Sequence, residues 1–453
     1  MTTIDRTTPP APGPITEIRF PSFVSTTLSN GIPVYLVENH EQPLVSVTLY
    51  LGGGSSRDTA ATQGLASMAA EMLNKGTATR SATEIAETID FVGGSLGASA
   101  SWDASVVSTS VLSRYLDTAI GLQSDIVANP VFADEELSRI KTQRIANIMQ
   151  AKSDPGYLAD VVFSKGVYGD HPYGFEAAGT EASVSAMQSA SLREFYATLR
   201  ALPGAFFIVA GDVTEAQIVE KLSAAFGSAL RGQSAVGASA VTSIPALNQG
   251  PRITLVEKKQ AVQSAIRVGH LGIARNHPDY VPLYVLNMLL GGYFNSRINQ
   301  NLRERNGFTY GARSYFDARK QTGAFVVSTE VRTDVTAAAV LEIRNEIEAI
   351  VTKPVEPHEL QMVQQYIIGS FPLSIETPQQ VANRIASLVL YDLGADYYDR
   401  FRDQVAAVTA DDLLRAAKAH LHPDALVIGV SGDANALETE LRAFGEVDVK
   451  ESI

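Results

Sequence analysis

Residues Val106 to Val111 read VVSTSV, and residues Val326 to Val331 read VVSTEV. The two hexapeptides lie 220 positions apart and differ at one place. Their β-branched and small polar side chains suit a strand with one buried face. Outward from them the same order of elements returns: strand, long helix, Pro-containing turn, helix. Pro130-Val131 with Glu136-Leu137 echoes Pro354-Val355 with Glu359-Leu360, at offsets of 224 and 223. A repeat of this size argues duplication of a whole domain, not a solenoid.

The rest of each half fills in around that strand. Val24 to Asn39 predicts a hairpin turning at Ser29-Asn30-Gly31, and Leu44 to Leu51 predicts another strand. Gln63 to Leu73 predicts a helix, with Leu65, Met68, Ala69, Met72 and Leu73 on one stripe. Gly93 to Val111 reads as strand, Ser113 to Ile126 and Asp134 to Lys152 as helices, and Asp154-Pro155-Gly156 as a helix breaker. Strands and helices do not alternate strictly. The expected fold is therefore α+β, two tandem homologous domains, each a mixed or antiparallel sheet with helices packed on one face. The expected boundaries are a flexible leader over 1–23, a first domain over 24–231, a Gly-, Ser- and Pro-containing linker over 232–252 and a second domain over 253–453.

Composition excludes several chemistries. The chain has 453 residues and no cysteine, so disulfides, thiolate metal sites and thiol catalysis are absent. A formal net charge of −13 speaks against nucleic-acid partners. No stretch approaches the roughly 18 apolar residues of a membrane helix, and residues 1–20 carry four prolines and no apolar run. The expectation is a soluble chain without membrane or nucleic-acid partner, with the cytoplasm as first compartment and the periplasm left open. Gly52-Gly53-Gly54-Ser55-Ser56 lacks the Lys-Ser/Thr ending of a phosphate loop and reads as a turn.

The chemistry-bearing stretch is SRINQNLRERNGFTYGARSYF, Ser296 to Phe316. It opens as a helix with Ile298 and Leu302 on one face, stops at Asn306-Gly307, and continues as a strand. Arg303 and Tyr310 are seven positions apart across that turn. A guanidinium and a phenol facing one space would form a pair of donors for a carbonyl oxygen.

Together these features resemble the insulinase-like (M16) zinc peptidases, over essentially residues 24–440. Gly64-Leu65-Ala66, Met72-Leu73 and Lys75-Gly76-Thr77 look like the surroundings of that family's inverted zinc motif. Asp154-Pro155 and Asp170-His171-Pro172-Tyr173-Gly174 look like its next landmarks. Ser296-Arg297 through Arg303, Gly307 and Tyr310 resemble its second-half signature, in which an Arg and a Tyr seven apart contact substrate. The resemblance implies half of a clamshell. It also implies that the His-x-x-Glu-His motif falls on Ser67, Ala70 and Glu71, and the third metal ligand on Asn147. Each position that would grip zinc or activate water is replaced, so no metal is expected in this chain.

The resemblance therefore implies a non-catalytic subunit of a heteromeric zinc metalloendopeptidase, inactive on its own. A homologous zinc-bearing subunit would be the partner and would hold the zinc cofactor. This chain would complete the chamber around a peptide substrate and contribute Arg303 and Tyr310 to its binding and to catalysis. The alternative is a purely structural member, like the core proteins of the respiratory complex. The seven histidines, at 40, 171, 270, 277, 358, 420 and 422, suggest no other metal site, and His420 and His422 read as surface residues.

Overall fold

The computed structural model describes residues 18–230 and 243–453. Of the segments expected outside the domains, residues 1–17 of the leader and 232–242 of the linker lie outside the described residues.

The first half carries strands β1 (Val24–Thr27), β2 (Pro33–Glu38), β3 (Leu44–Gly52), β4 (Ser95–Ala100), β5 (Ala104–Leu112) and β6 (Phe206–Gly211). Its helices are α1 (Leu65–Met72), α2 (Ala82–Phe91), α3 (Leu116–Ala128), α4 (Asp134–Ala151), α5 (Pro155–Tyr168), α6 (Glu181–Ala186), α7 (Ser189–Ala201) and α8 (Glu215–Phe226). The second half has β7 (Arg252–Glu257), β8 (Gln263–Leu271), β9 (Ala312–Ala318), β10 (Gly323–Arg332), β11 (Val427–Gly432) and β12 (Val447–Lys450). Its helices are α9 (Tyr280–Asn287), the single turn α10 (Arg297–Asn299), α11 (Thr336–Thr352), α12 (Pro357–Ser370), α13 (Pro378–Leu390), α14 (Tyr397–Ala407), α15 (Ala410–His420) and α16 (Ala434–Leu441).

The strand orders are β1-β2-β6-β3-β5-β4 and β12-β7-β11-β8-β10-β9. The repeated hexapeptides sit in β5 and β10, and each lies second from an open edge, between equivalent neighbours. An equivalent parallel pair, β2 with β6 and β7 with β11, joins the antiparallel strands of each sheet. The far edges differ. β1 pairs antiparallel with β2 through the Gly31 turn, whereas β12 arrives from the end of the chain and pairs parallel with β7.

One local expectation is corrected and one is extended. The strand expected over 93–111 is a hairpin, β4 and β5, that turns at Ser101-Trp102-Asp103. Asp154-Pro155-Gly156 ends α4 but also starts α5. The Asp154 carboxylate accepts the Gly156 N–H at 2.7 Å, and proline at the first helical position wastes no donor.

α5 explains how the halves are knitted. Leu158, Val162, Phe163 and Val167 pack against Val256, Ala324, Val326 and Val427 of the other half's sheet. The equivalent helix, α13, packs on β6 and β2 in return, and Phe206, Ile208 and Ala210 join the second half's core. Each sheet thus has its own helices on one face and the exchanged helix on the other, which is why β6 and β11 are buried on both sides. Arg267 of β8 pins α5 through two bonds to Asp160, at 2.5 and 3.1 Å. At the junction the equivalent hairpin turns meet. Arg319 lies 4.1 Å over the Trp102 ring and 4.9 Å over Tyr173, whose hydroxyl donates to Asp103 at 2.5 Å. The end of the expected leader is docked rather than free: Phe20 is buried and stacks on Tyr398 of α14 at 5.2 Å. Among the described residues no helix is long and apolar enough to cross a membrane.

Candidate functional site

Ser296–Phe316 forms one wall of a cavity of about 560 Å³ on the open-edge side of the second sheet. The expected helix is present but wound wide. Asn306 N–H bonds the Asn301 carbonyl, five residues back, at 3.1 Å, so Gln300–Arg305 is a π-turn, a distortion frequent at functional sites, and Phe308 N–H closes its end on the Leu302 carbonyl at 2.8 Å. The strand begins at Ala312, not at Phe308, and Phe308–Gly311 is an irregular step that lifts Tyr310 clear of the ladder.

The arginines of the stretch have different fates. Arg297 is held by Glu359 of α12 at 2.6 and 3.0 Å, and Arg305 by Glu346 of α11 at 3.0 Å. Both fasten the turn to the long helices. Among the described residues the Arg303 side chain pairs with its neighbour Glu304, at 3.3 Å, and lies over the Phe294 ring, at 4.6 Å from its centroid. Its guanidinium and the Tyr310 ring line the same cavity. Tyr310 is 95% exposed, which no packing role requires. Asn299 frames the opening, donating to the Phe294 carbonyl at 2.6 Å and accepting from Ala312 N–H at 3.1 Å. Gly291 backs it. A Cβ there would stand 2.4 Å from Ser314 Oγ, so only glycine allows that approach.

Ser67 and Glu71 lie one turn apart on α1 and face α4. They border a cavity of about 340 Å³ with Asn147, while Ala70 is buried beside them. The residue that sequence reasoning missed is Arg144. One guanidinium nitrogen donates to Ser67 Oγ at 2.9 Å, and the other pairs with the Glu71 carboxylate. Its sequence signal was its place one turn before Asn147 on α4, in RIANIM. The start of α1 is fixed by buried Asp58, which accepts the N–H groups of Gly64 and Ala66 at 3.0 Å each. Burial pushes the Asp58 carboxyl up to about 7 against those two bonds. This donor set does not fit a zinc ion. Its one carboxylate is already neutralised by a fixed cation, and hydroxyl and amide oxygens are poor zinc ligands.

Among the described residues one other group, His277, Asp279 and His420, is close enough to hold a metal. This corrects the surface reading of His420, whose side chain is only 17% exposed. Asp279 takes two bonds from Arg415, at 2.7 and 3.1 Å, and one from His420 at 2.8 Å. His277 Nδ1 accepts the Asp279 N–H at 3.1 Å. The carboxylate and the His277 lone pair are therefore occupied, and the cluster is an ion-pair latch between the start of α9 and α15. Gly93-Gly94-Ser95-Leu96-Gly97 has nucleophile-elbow spacing, but Ser95 opens edge strand β4 and no strand-turn-helix surrounds it.

Comparison with known proteins follows the two halves. Residues 33–177 match the family model described as "Insulinase (Peptidase family M16)", and residues 186–367 match "Peptidase M16 inactive domain". An uncharacterized zinc protease of Mycobacterium leprae is 32% identical over 303 residues, 67% of each chain. A Helicobacter pylori relative named "Non-peptidase homolog YmxG" is 24% identical over 402 residues, 88% of this chain and 91% of its own. The crystal structure of a peptidase M16 inactive domain from Pseudomonas fluorescens superposes with a TM-score of 0.82 at 26% identity, covering 91% of this chain and 98% of that one.

Proposed function

The chain belongs to the insulinase (M16) peptidase family, and we propose that within it this protein is a non-catalytic subunit of a heteromeric zinc peptidase. Its partner would be a homologous chain with an intact His-x-x-Glu-His motif. The two would enclose a peptide chamber, and the partner's metal would supply the hydrolytic chemistry.

The observation that carries this reading is the contrast between the two halves. Arg144 pairs with Glu71, a residue that the resemblance sets at a zinc position, whereas Arg303 and Tyr310 line one open cavity. In the proposed complex the Tyr310 hydroxyl and the Arg303 guanidinium donate to the scissile carbonyl oxygen as it gains charge. Donors of this kind contribute about 3 kcal/mol each in a water-poor site. The name of the Helicobacter relative, a non-peptidase homologue, agrees with a chain that does not hydrolyse peptides by itself.

Co-expression with a homologue that carries the intact zinc motif is the test. A mixed species on sizing, with peptide hydrolysis that needs both chains, is the expected result. A homologue fully active alone that never co-elutes with this chain would end the subunit reading.

A further inference from the structure

The geometry points to Arg144 as a built-in cation that fastens α1 to α4 as a metal ion would, and that bars a divalent ion from the same place. The fastening rests on distances alone. The comparison with a metal rests on the correspondence of positions 67, 71 and 147 to the zinc positions, as read above.

Ser67 and Glu71 project from one face of α1 toward α4. A zinc ion held by residues at those positions would tie that face to a ligand from α4. Arg144 makes the same tie from the α4 side. Its planar fork reaches Ser67 Oγ at 2.9 Å and the Glu71 carboxylate with separate nitrogens, and the first nitrogen also approaches the Ala178 carbonyl at 3.5 Å. The fork thus gathers α1, α4 and the loop before α6. The Arg144 side chain is 13% exposed and that of Glu71 39%, so the guanidinium is shielded while the carboxylate is partly open to solvent. Glu71 is the one carboxylate among the residues that border the cavity. A divalent ion entering there would meet a full positive charge a few ångströms away and no free carboxylate. The first half therefore carries a neutral ion pair where α1 meets α4.

The test uses the full chain alone, so its failure is separable from failure of the subunit reading. Arg144→Ala should melt roughly 3–6 °C below the parent. Millimolar guanidinium ion should restore most of that loss in the variant and change nothing in the parent. Adding Glu71→Gln to Arg144→Ala should abolish the rescue, because the site then lacks its counter-charge. A variant melting with the parent, or a rescue that persists without Glu71, would overturn the proposal. If Arg144→Ala does not fold, Arg144→Lys carries the comparison. A melting point below the parent supports a two-armed fork, and an unchanged one refutes it. For the exclusion of metal, Ser67→His/Glu71→His/Asn147→Glu should take up no zinc while Arg144 remains, and stoichiometric zinc once Arg144→Ala is added. Zinc in the first variant, or in neither, would refute the exclusion.

Discussion

Arg303 and Tyr310 line one cavity although a π-turn and an irregular step separate them along the chain. Neither is needed for packing: Tyr310 is almost fully exposed, and Arg303 rests on Phe294 rather than on the helices behind it. Substitutions there should therefore separate function from stability.

Tyr310→Phe removes one hydroxyl from an exposed ring, so folding and assembly should survive. In the reconstituted complex kcat should fall by on the order of 100-fold with little change in KM, the pattern of a bond made mainly in the transition state. Arg303→Lys keeps the charge but loses the planar fork, and should be impaired with a higher KM. Steady-state kinetics at equal zinc content and equal assembly decide the matter. Activity of Tyr310→Phe within about twofold of the parent would remove the catalytic role, since a lost transition-state donor costs far more.

The purified chain should carry no stoichiometric zinc and cleave no peptide. Metal analysis after dialysis against zinc is the measurement. Stoichiometric zinc that disappears with Glu71→Gln would contradict the arrangement around Arg144.

Between about pH 6.5 and 4, His270 should contribute a loss of stability on acidification, opposed by Asp58, whose carboxyl is held up to about 7 by burial. His270 is 1% exposed, and burial pushes its imidazole down to about 4. Its Nδ1–H donates to the Leu271 carbonyl at 2.9 Å and its Nε2 accepts the His422 N–H at 3.1 Å, so the neutral ring is fully used. The unfolded chain takes up a proton near 6.5 that the folded chain refuses until about 4, so stability is lost on acidification through that window. The loss from this one group is about 3 kcal/mol. Burial lowers His171, His277 and His422 in the same direction. Urea titrations of the parent and of His270→Gln across that range should differ in slope, the parent losing more stability on acidification than the variant. An unchanged slope in that variant would place the effect elsewhere.

The two halves should unfold in one transition. Trp102, the chain's single tryptophan, lies under Arg319 where the hairpin turns of the two halves meet. Its fluorescence reports that junction, while far-UV circular dichroism reports all helices. Because α5 and α13 each complete the other half's sheet, neither core can persist alone. Coincident melting curves are expected. Two separated transitions would show that the exchanged helices do not couple the halves.

Sequence by itself determined the duplication, the α+β class and the order of strand, long helix, turn and helix that follows each hexapeptide. The cause is local: VVSTSV and VVSTEV, their following helices and their Pro-Val turns carry period and punctuation that neighbouring residues alone impose. It also brought Arg303 and Tyr310 to notice, because only one short turn separates them. What tertiary structure decided lies between distant segments. No periodicity tells α5 to cover the other half's sheet, since an apolar face specifies burial but not the surface that buries it. Asp154-Pro155-Gly156 ends one helix and caps the next, and its residues alone do not choose between the two. His420 pairs with Asp279, 141 positions away, and so leaves the surface. Arg144 is an unremarkable helix residue in sequence. Only the packing of α4 on α1 places its charge between Ser67 and Glu71, because an ion pair is fixed by distance in space, and that distance is set by the fold.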